Sequence, residues 1–568
     1  MNIKKTVVWA LIAGAGLGLS GCALQDSPGA EMEGLAAVSY TPGETGSRLV
    51  DGLSTYDWTI TTDSAEAQAW FNQGVALLYG FNHGEAIRSF QEAAARDPDA
   101  AMAWWGIAYA NGMHINIPEM TEPQWRGSYA AAHRAIAELD NETDLERALV
   151  KAIVARTAWP VPSEQRPYDE AFFEAMEPVY RAHGDNPDVA AIFTESMLNL
   201  QPWDYWTPEL EPKGRTVRFI EVIERGLEVD PTHPQLMHLY IHAVEAGPNP
   251  ADGVPAAEVL ANRVPGAGHL VHMPSHIYAR VGRYHDAVAI NQRAIEADRA
   301  FFDIGTEPGA YYIYHAHNEH FLTFAAMMEG QYDTAMESAR RLERSIPEPM
   351  LDQFAFLIEG IMPSSRHVQI RFGKWEDILR EPAPPAKRPV LTAVHHYSRG
   401  IAFSALGRTA EARAEIELFE SAVEHVPEDW WVFSNKIHDV LPIARRMLEG
   451  ELAYREGRLG DAWAALGEAI EYEDRLVYDE PPAWMIPVRH SMGALLLEAG
   501  EPERAEALYR EDQVDHPGNG WSLLGLQQAL AAQGRDAEAG RIAPMLDTAW
   551  ARVETRPTSS CLCAPGSG

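Results

Sequence analysis

The chain has 568 residues and a formal net charge of −36, from 46 Lys and Arg against 82 Asp and Glu. A surface that acidic repels phosphate backbones and disfavours nucleic-acid binding, and three cysteines are too few for a disulfide scaffold. At 46% apolar and 23% charged residues the composition is that of a globular protein, long enough to need several domains or one repeat array. The opening residues 1–21 read as an export signal. Lys4 and Lys5 precede an apolar stretch from Val7 to Leu19 that is too short to cross a bilayer comfortably.

That signal ends Leu19-Ser20-Gly21-Cys22, which resembles the bacterial lipobox. The resemblance implies lipidation of Cys22, palmitate-type acyl chains and a lipoprotein held at the cell envelope. Acyl chains supply roughly 0.8 kcal/mol per buried CH₂, so more than one anchors firmly. Ala23 in place of an acid after the cysteine favours, by the same resemblance, the cell outer membrane, with periplasm or cell surface left open. Residues 22–62 are rich in Gly, Ser, Pro and Thr and read as a flexible tether.

From Ala65 onward the apolar pattern is helical, punctuated by Pro and Gly at short intervals. Trp70, Gly74, Ala86, Phe90, Ala93 and Pro98 fall at positions 4, 8, 20, 24, 27 and 32 of a frame with a period in the low thirties. Small residues let two helices approach, an aromatic fills the gap, and proline ends the second helix. The frame recurs at Gly282, Ala287 and Ala294, at Gly330, Ala335 and Pro347, at Gly400 and Ala412, and at Gly450, Ala462 and Ala469. It recurs again at Gly493, Ala505, Tyr509 and Pro517, and last at Trp521, Gly525 and Ala537. The chain resembles tetratricopeptide repeat (TPR) proteins over most of residues 65–552, and the layout looks like that of long bacterial TPR proteins. The expected fold is all-α, a TPR-like right-handed α-solenoid of antiparallel helix pairs. Between Thr121 and Pro231 the frame is degenerate, although the segment still reads as helices. An aromatic insertion, Asp298–Tyr314, interrupts the array. The expected organisation is a helical region over 63–380, a Pro-rich linker at 381–390, a second array over 391–555 and a disordered tail at 556–568.

Nine of the 21 histidines lie between His238 and His320, where an even spread would put about three. His238, His242 and Glu245 stand at i, i+4 and i+7, on one helical face. His269, His272 and His276 follow at i, i+3 and i+7, and His317 and His320 repeat the i, i+3 step. By resemblance to the TPR frame these fall in columns that line the concave groove, with a looser fit around His238 that leaves His242 one residue off its column. Imidazoles with a carboxylate suit Zn, Cu, Fe or Ni rather than Mg²⁺ or Ca²⁺, which take oxygen ligands. Glu245 and Glu319 are the candidate general bases. Arg280, Trp203 and Trp206 are candidates for holding a substrate or partner. His285 reads as surface, His315 as either, and His83 as part of a turn. His114 lies in an irregular segment, and Cys561-Leu562-Cys563 is a candidate soft-metal or redox pair. No HExxH, CxxC or strand–GxGxxG signature is present, so the sequence does not choose between metal chemistry and metal binding. The alternative is an interaction scaffold whose groove takes peptides or partner proteins at the outer membrane. A small-molecule or glycan binder that uses Trp203, Trp206 and the insertion is a third reading.

Overall fold

A computed structural model describes residues 38–53, 55–303, 309–553 and 555–563. The export signal, Cys22 and the centre of the aromatic insertion lie outside the described residues. Those described are all-α, a TPR-like solenoid of antiparallel helix pairs. Their one strand ladder joins Trp431–Val432 to Asn435–Lys436, with Trp431 opposite Lys436. Among the described residues no helix is long and apolar enough to cross a membrane.

The repeat spacing has a direct physical cause. Phe90, fully buried in the His83–Arg96 helix, lies between Gly74 of the preceding helix and Gly106 of the following one. A Cβ at Gly74 would come within 2.5 Å of the ring, and one at Gly106 within 2.6 Å. Tyr509 repeats the arrangement between Gly493 and Gly525, at 2.5 and 2.1 Å. One aromatic therefore packs two successive helix pairs, and only glycine on each side admits it. The hairpin turns are closed by glycines such as Gly457 (φ 76°) and Gly500 (φ 80°), in the left-handed conformation that ends a helix without steric cost.

The chain divides into two compact units, residues 1–277 with 292–315, and residues 278–291 with 316–568. This division does not fall at the Pro-rich 381–390 stretch expected as a linker, which belongs to the second unit. There Glu381 binds Arg366 at 3.0 Å and Gln369 at 2.9 Å. Pro389 opens the next helix, whose free amides at Val390 and Leu391 donate to Glu359 at 2.8 and 3.2 Å. Pro389 begins a helix here, where a missing N–H costs nothing.

The described part of the expected tether is also packed. Tyr56, Trp58 and Ile60 are buried while Asp57 and Thr59 are exposed, the alternation of an extended segment with one inward face. Upstream, the Val50 amide donates to Gln73 at 2.7 Å, and the Gly43 amide donates to Glu92 at 2.8 Å. At the other end, residues 556–563 of the expected disordered tail are ordered in the second unit. Ser560 is fully buried, with its hydroxyl donating to the His490 carbonyl at 3.0 Å and meeting the Tyr509 hydroxyl at 2.5 Å. Polar composition suggests disorder in both segments, but each has partners for its backbone and a place for its few apolar side chains.

Candidate metal centre

The site in the first unit starts on the Pro234–Val244 helix. Proline stands at its first position, and His233, one residue earlier, caps it by accepting the Leu236 amide at 3.2 Å. His238 and His242 lie one turn apart on this helix, and Glu245 follows its last turn; all three are buried. His269 and His272 come from the short Gly268–His272 helix and His276 from Pro274–Arg280. The expected single helix is broken at Met273 because Pro274 cannot donate to the preceding turn. The His269 amide, at the helix start, donates to the Tyr311 hydroxyl at 3.1 Å, and that hydroxyl donates to Asp298 at 3.0 Å. Gly268 permits that approach, since a Cβ there would collide with Asp298.

The hydrogen bonds assign the tautomers. His238 Nδ1 donates to the Tyr79 carbonyl at 2.8 Å. His242 Nδ1 donates to Glu245 Oε1 at 2.8 Å, and His276 Nδ1 donates to Glu245 Oε2 at 2.5 Å. Carbonyl and carboxylate oxygens only accept, so these three rings carry hydrogen on Nδ1 and leave a lone pair on Nε2. His242 Nε2 is buried with no hydrogen-bond partner. His238 Nε2 and His269 Nε2 lie 3.2 Å apart, and one ring nitrogen from each of His238, His242 and His269 lies within 4.8 Å of the others. Two nitrogens on one tetrahedral Zn²⁺, each at about 2.05 Å, stand about 3.3 Å apart, so the first pair already has that spacing. His272 Nε2 is 2.8 Å from His276 Nε2, and Ser275 Oγ is 3.3 Å from His272 Nδ1. A consistent proton order runs from the Ser275 hydroxyl through His272 and His276 to Glu245.

Burial holds His238 well below the usual imidazole range; His242 adds to the effect and the Tyr79 carbonyl opposes it. Burial also lowers His242, against the pull of Glu245. Burial alone would raise Glu245, but His276 and the hydrogen bonds from both imidazoles hold it down to about 2. His238 and His242 are therefore held as neutral imidazoles beside an ionised Glu245, the form in which imidazole binds metal.

Trp203 reaches this centre. Its ring meets His242 edge-on at 4.9 Å, and its Nε1 donates to Asn116 Oδ1 at 3.1 Å. Trp206 does not take that role: its Nε1 donates to the Ala243 carbonyl at 2.9 Å, satisfying the end of the Pro234–Val244 helix. His315 pairs with Asp298 at 3.3 Å.

Arg280, Glu319, His317 and His320 belong to the second unit. Both oxygens of Glu319 are taken by Arg341, at 2.8 and 3.0 Å, and the Ser338 hydroxyl donates to it at 2.6 Å. That is the bidentate geometry of a structural ion pair. Arg280 lies 5.3 Å over the Tyr478 ring and donates to the Asp515 carbonyl at 3.4 Å. His317 and His320 each stand 5.7 Å from Phe433, and burial, then His367, lowers His320 to about 3. His285 pairs with Glu329 at 3.2 Å and is partly exposed.

Sequence periodicity missed Phe81, His83 and His114. Phe81 (φ 55°) lies 4.5 Å from His114, 4.6 Å from His238 and 5.4 Å from His269, with His83 4.5 Å from His114. Burial, then Arg156, lowers His83 to about 4. Phe81 and His114 sit in non-helical segments and His83 begins a helix after a turn, so no helical spacing reveals them. The clustering of Phe81 and His83 around one turn was their only sequence signal.

No family model and no curated protein sequence matches the chain. Among solved structures it is similar to the human IFIT1 dimer with m7Gppp-AAAA, at 13% identity over 90% of this chain and 96% of that one, with a TM-score of 0.30. It is also similar to a chain of the APC/C hetero-tetramer Cut9-Hcn1, at 12% identity over 85% and 76%, again with a TM-score of 0.30. Likenesses at that level carry no information about this site, whose chemistry rests on its own geometry.

Proposed function

We propose that this TPR-like helical protein binds one divalent transition ion through the Nε2 atoms of His238, His242 and His269, with Glu245 fixing the ring of His242. The observation that carries the reading is the tautomer assignment. His238 and His242 both spend Nδ1–H on oxygen acceptors and so present lone pairs at Nε2 beside His269. A carboxylate behind a ligating imidazole raises its basicity and fixes its orientation. Three neutral imidazoles suit Zn, Cu, Fe or Ni, and a tetrahedral ion keeps a fourth position for water or a substrate. The proposal includes an outer-membrane anchor through lipidated Cys22, supported by the lipobox-like Leu19-Ser20-Gly21-Cys22 sequence. Trp203 and Asn116 stand where a substrate would meet the ion.

Elemental analysis of tag-free protein tests this, together with Co²⁺ titration followed in the visible range. Near-stoichiometric metal and a tetrahedral Co²⁺ spectrum are expected, both lost in His242→Ala with helicity retained. Wild-type protein that holds no transition ion and shows no Co²⁺ spectrum refutes the metal reading and leaves the scaffold that binds partner proteins. Labelling with a palmitate analogue tests the anchor, and Cys22→Ala should abolish it.

A further inference from the structure

The second unit contains another cluster with ligand chemistry. Cys561 and Cys563 are 7% and 1% exposed, and with Glu451 each offers one ligand atom within 4.8 Å of the others. Glu451 comes from the Ile437–Arg455 helix, and both cysteines come from the ordered tail. The structure joins the cysteines as a disulfide. The tail is held in place independently of that bond. Arg455 donates to the Cys563 carbonyl, the Ser491 hydroxyl lies 3.5 Å from Cys561 Sγ, and Ser560 is fixed by His490 and Tyr509. Reduction would therefore leave two thiols seated beside a buried carboxylate.

We propose that the dithiol form of Cys561 and Cys563, together with Glu451, is a second cation site, selective for a thiophilic ion such as Zn²⁺ or Cd²⁺. A soluble dithiol opens the site by exchange: two S–H groups form on the protein and the reductant leaves as its own disulfide. A divalent ion then displaces both thiol protons and binds the two sulfurs and a Glu451 oxygen. Two thiolates and a carboxylate carry three negative charges. In a buried position those charges need a multivalent cation as well as the neighbouring Arg455. Soft sulfur ligands exclude Mg²⁺ and Ca²⁺.

The test uses the full chain, reduced and then freed of reductant under argon, and titrated with Cd²⁺ alone. The readout is the ultraviolet thiolate-to-Cd charge-transfer band. Expected is one Cd²⁺ per chain with the intensity of two thiolates. The band should be absent from the oxidised chain and from C561S/C563S, and E451Q should weaken binding at least tenfold. His242→Ala leaves the band intact, which separates this site from the histidine centre. No band in the reduced wild type overturns the proposal, as does a band that survives C561S/C563S and so reports Cys22. Unchanged affinity in E451Q overturns the three-ligand site. The oxidised and reduced wild types differ by no substitution, so their comparison holds even where a variant misfolds.

Discussion

Replacing Glu245 with Gln tests the centre at the point where its order is set. The carboxylate now accepts two N–H groups, from His242 at 2.8 Å and from His276 at 2.5 Å. An amide of the same shape offers one acceptor and one donor, so one imidazole must face an N–H with its own N–H. That ring escapes by moving its proton to Nε2. If it is His242, the lone pair meant for the ion is lost. If it is His276, the clash passes to His272, whose Nε2 lies 2.8 Å away. Loss of such an orienting partner typically weakens metal binding by about 10–100-fold, which is about 1.4–2.8 kcal/mol. Competition of Zn²⁺ between the protein and a chromogenic chelator at fixed pH measures the change, with Glu245→Ala as the fuller loss. Glu245→Gln protein that binds Zn²⁺ as tightly as wild type would show that the tautomer argument is wrong, even if the three histidines bind metal.

Four other expectations concern stability. Phe90→Ala empties a space shared by two helix pairs and should cost about 3–5 kcal/mol, read by chemical denaturation; Gly106→Ala should cost about 1–3 kcal/mol by overpacking the same ring, and smaller Phe90→Leu should partly rescue it. Burial pushes the Asp479 carboxyl up to about 8, against hydrogen bonds from Ser434 and Asn435. The fold therefore prefers this acid protonated, and its contribution is full below the unfolded pKa of about 3.9 and is lost as pH rises through 8. Asp479→Asn, a neutral isostere, should thus melt progressively higher than wild type as pH goes from 5 to 8.5, and a constant gap would contradict the assignment. Ending the chain after Arg556 removes Ser560 from Tyr509 and His490 and should destabilise the second unit by about 1–3 kcal/mol, with hydrogen exchange quickening in the Val488–Glu498 helix.

The repeat array was legible because its rule is short-range in sequence. A glycine, an aromatic sixteen residues later and another glycine after sixteen more specify the Phe90 and Tyr509 contacts almost completely. The histidine pairs were legible for the same reason, since i and i+4 share a helical face whatever surrounds them. What was illegible depends on loops or on distant partners. Phe81 and His114 reach the centre from non-helical segments. The role of Glu245 as a proton acceptor for two rings needs His276, thirty-one residues away. Glu319 looked like a base in the groove, yet its ion pair with Arg341 comes from the neighbouring helix. Composition also misled at both ends, because Gly-, Ser- and Pro-rich stretches hid the period-two burial of Tyr56, Trp58 and Ile60 and the seat for Ser560.

Under the proposed lipid anchor at Cys22, the packed segment that begins at residue 38 would limit how far the folded body can stand from a bilayer. Its first fixed point is Tyr40, whose ring stacks on Trp104 at 5.3 Å, followed by Gly43, whose amide is tied to Glu92. An acylated Cys22 would leave 18 residues of leash before Tyr40, at most about 65 Å when fully drawn out. Under the proposed anchor, whatever the proposed metal centre serves would have to come within that reach of the membrane surface, and lengthening or shortening the leash would change which neighbours the protein can touch without altering a single proposed ligand.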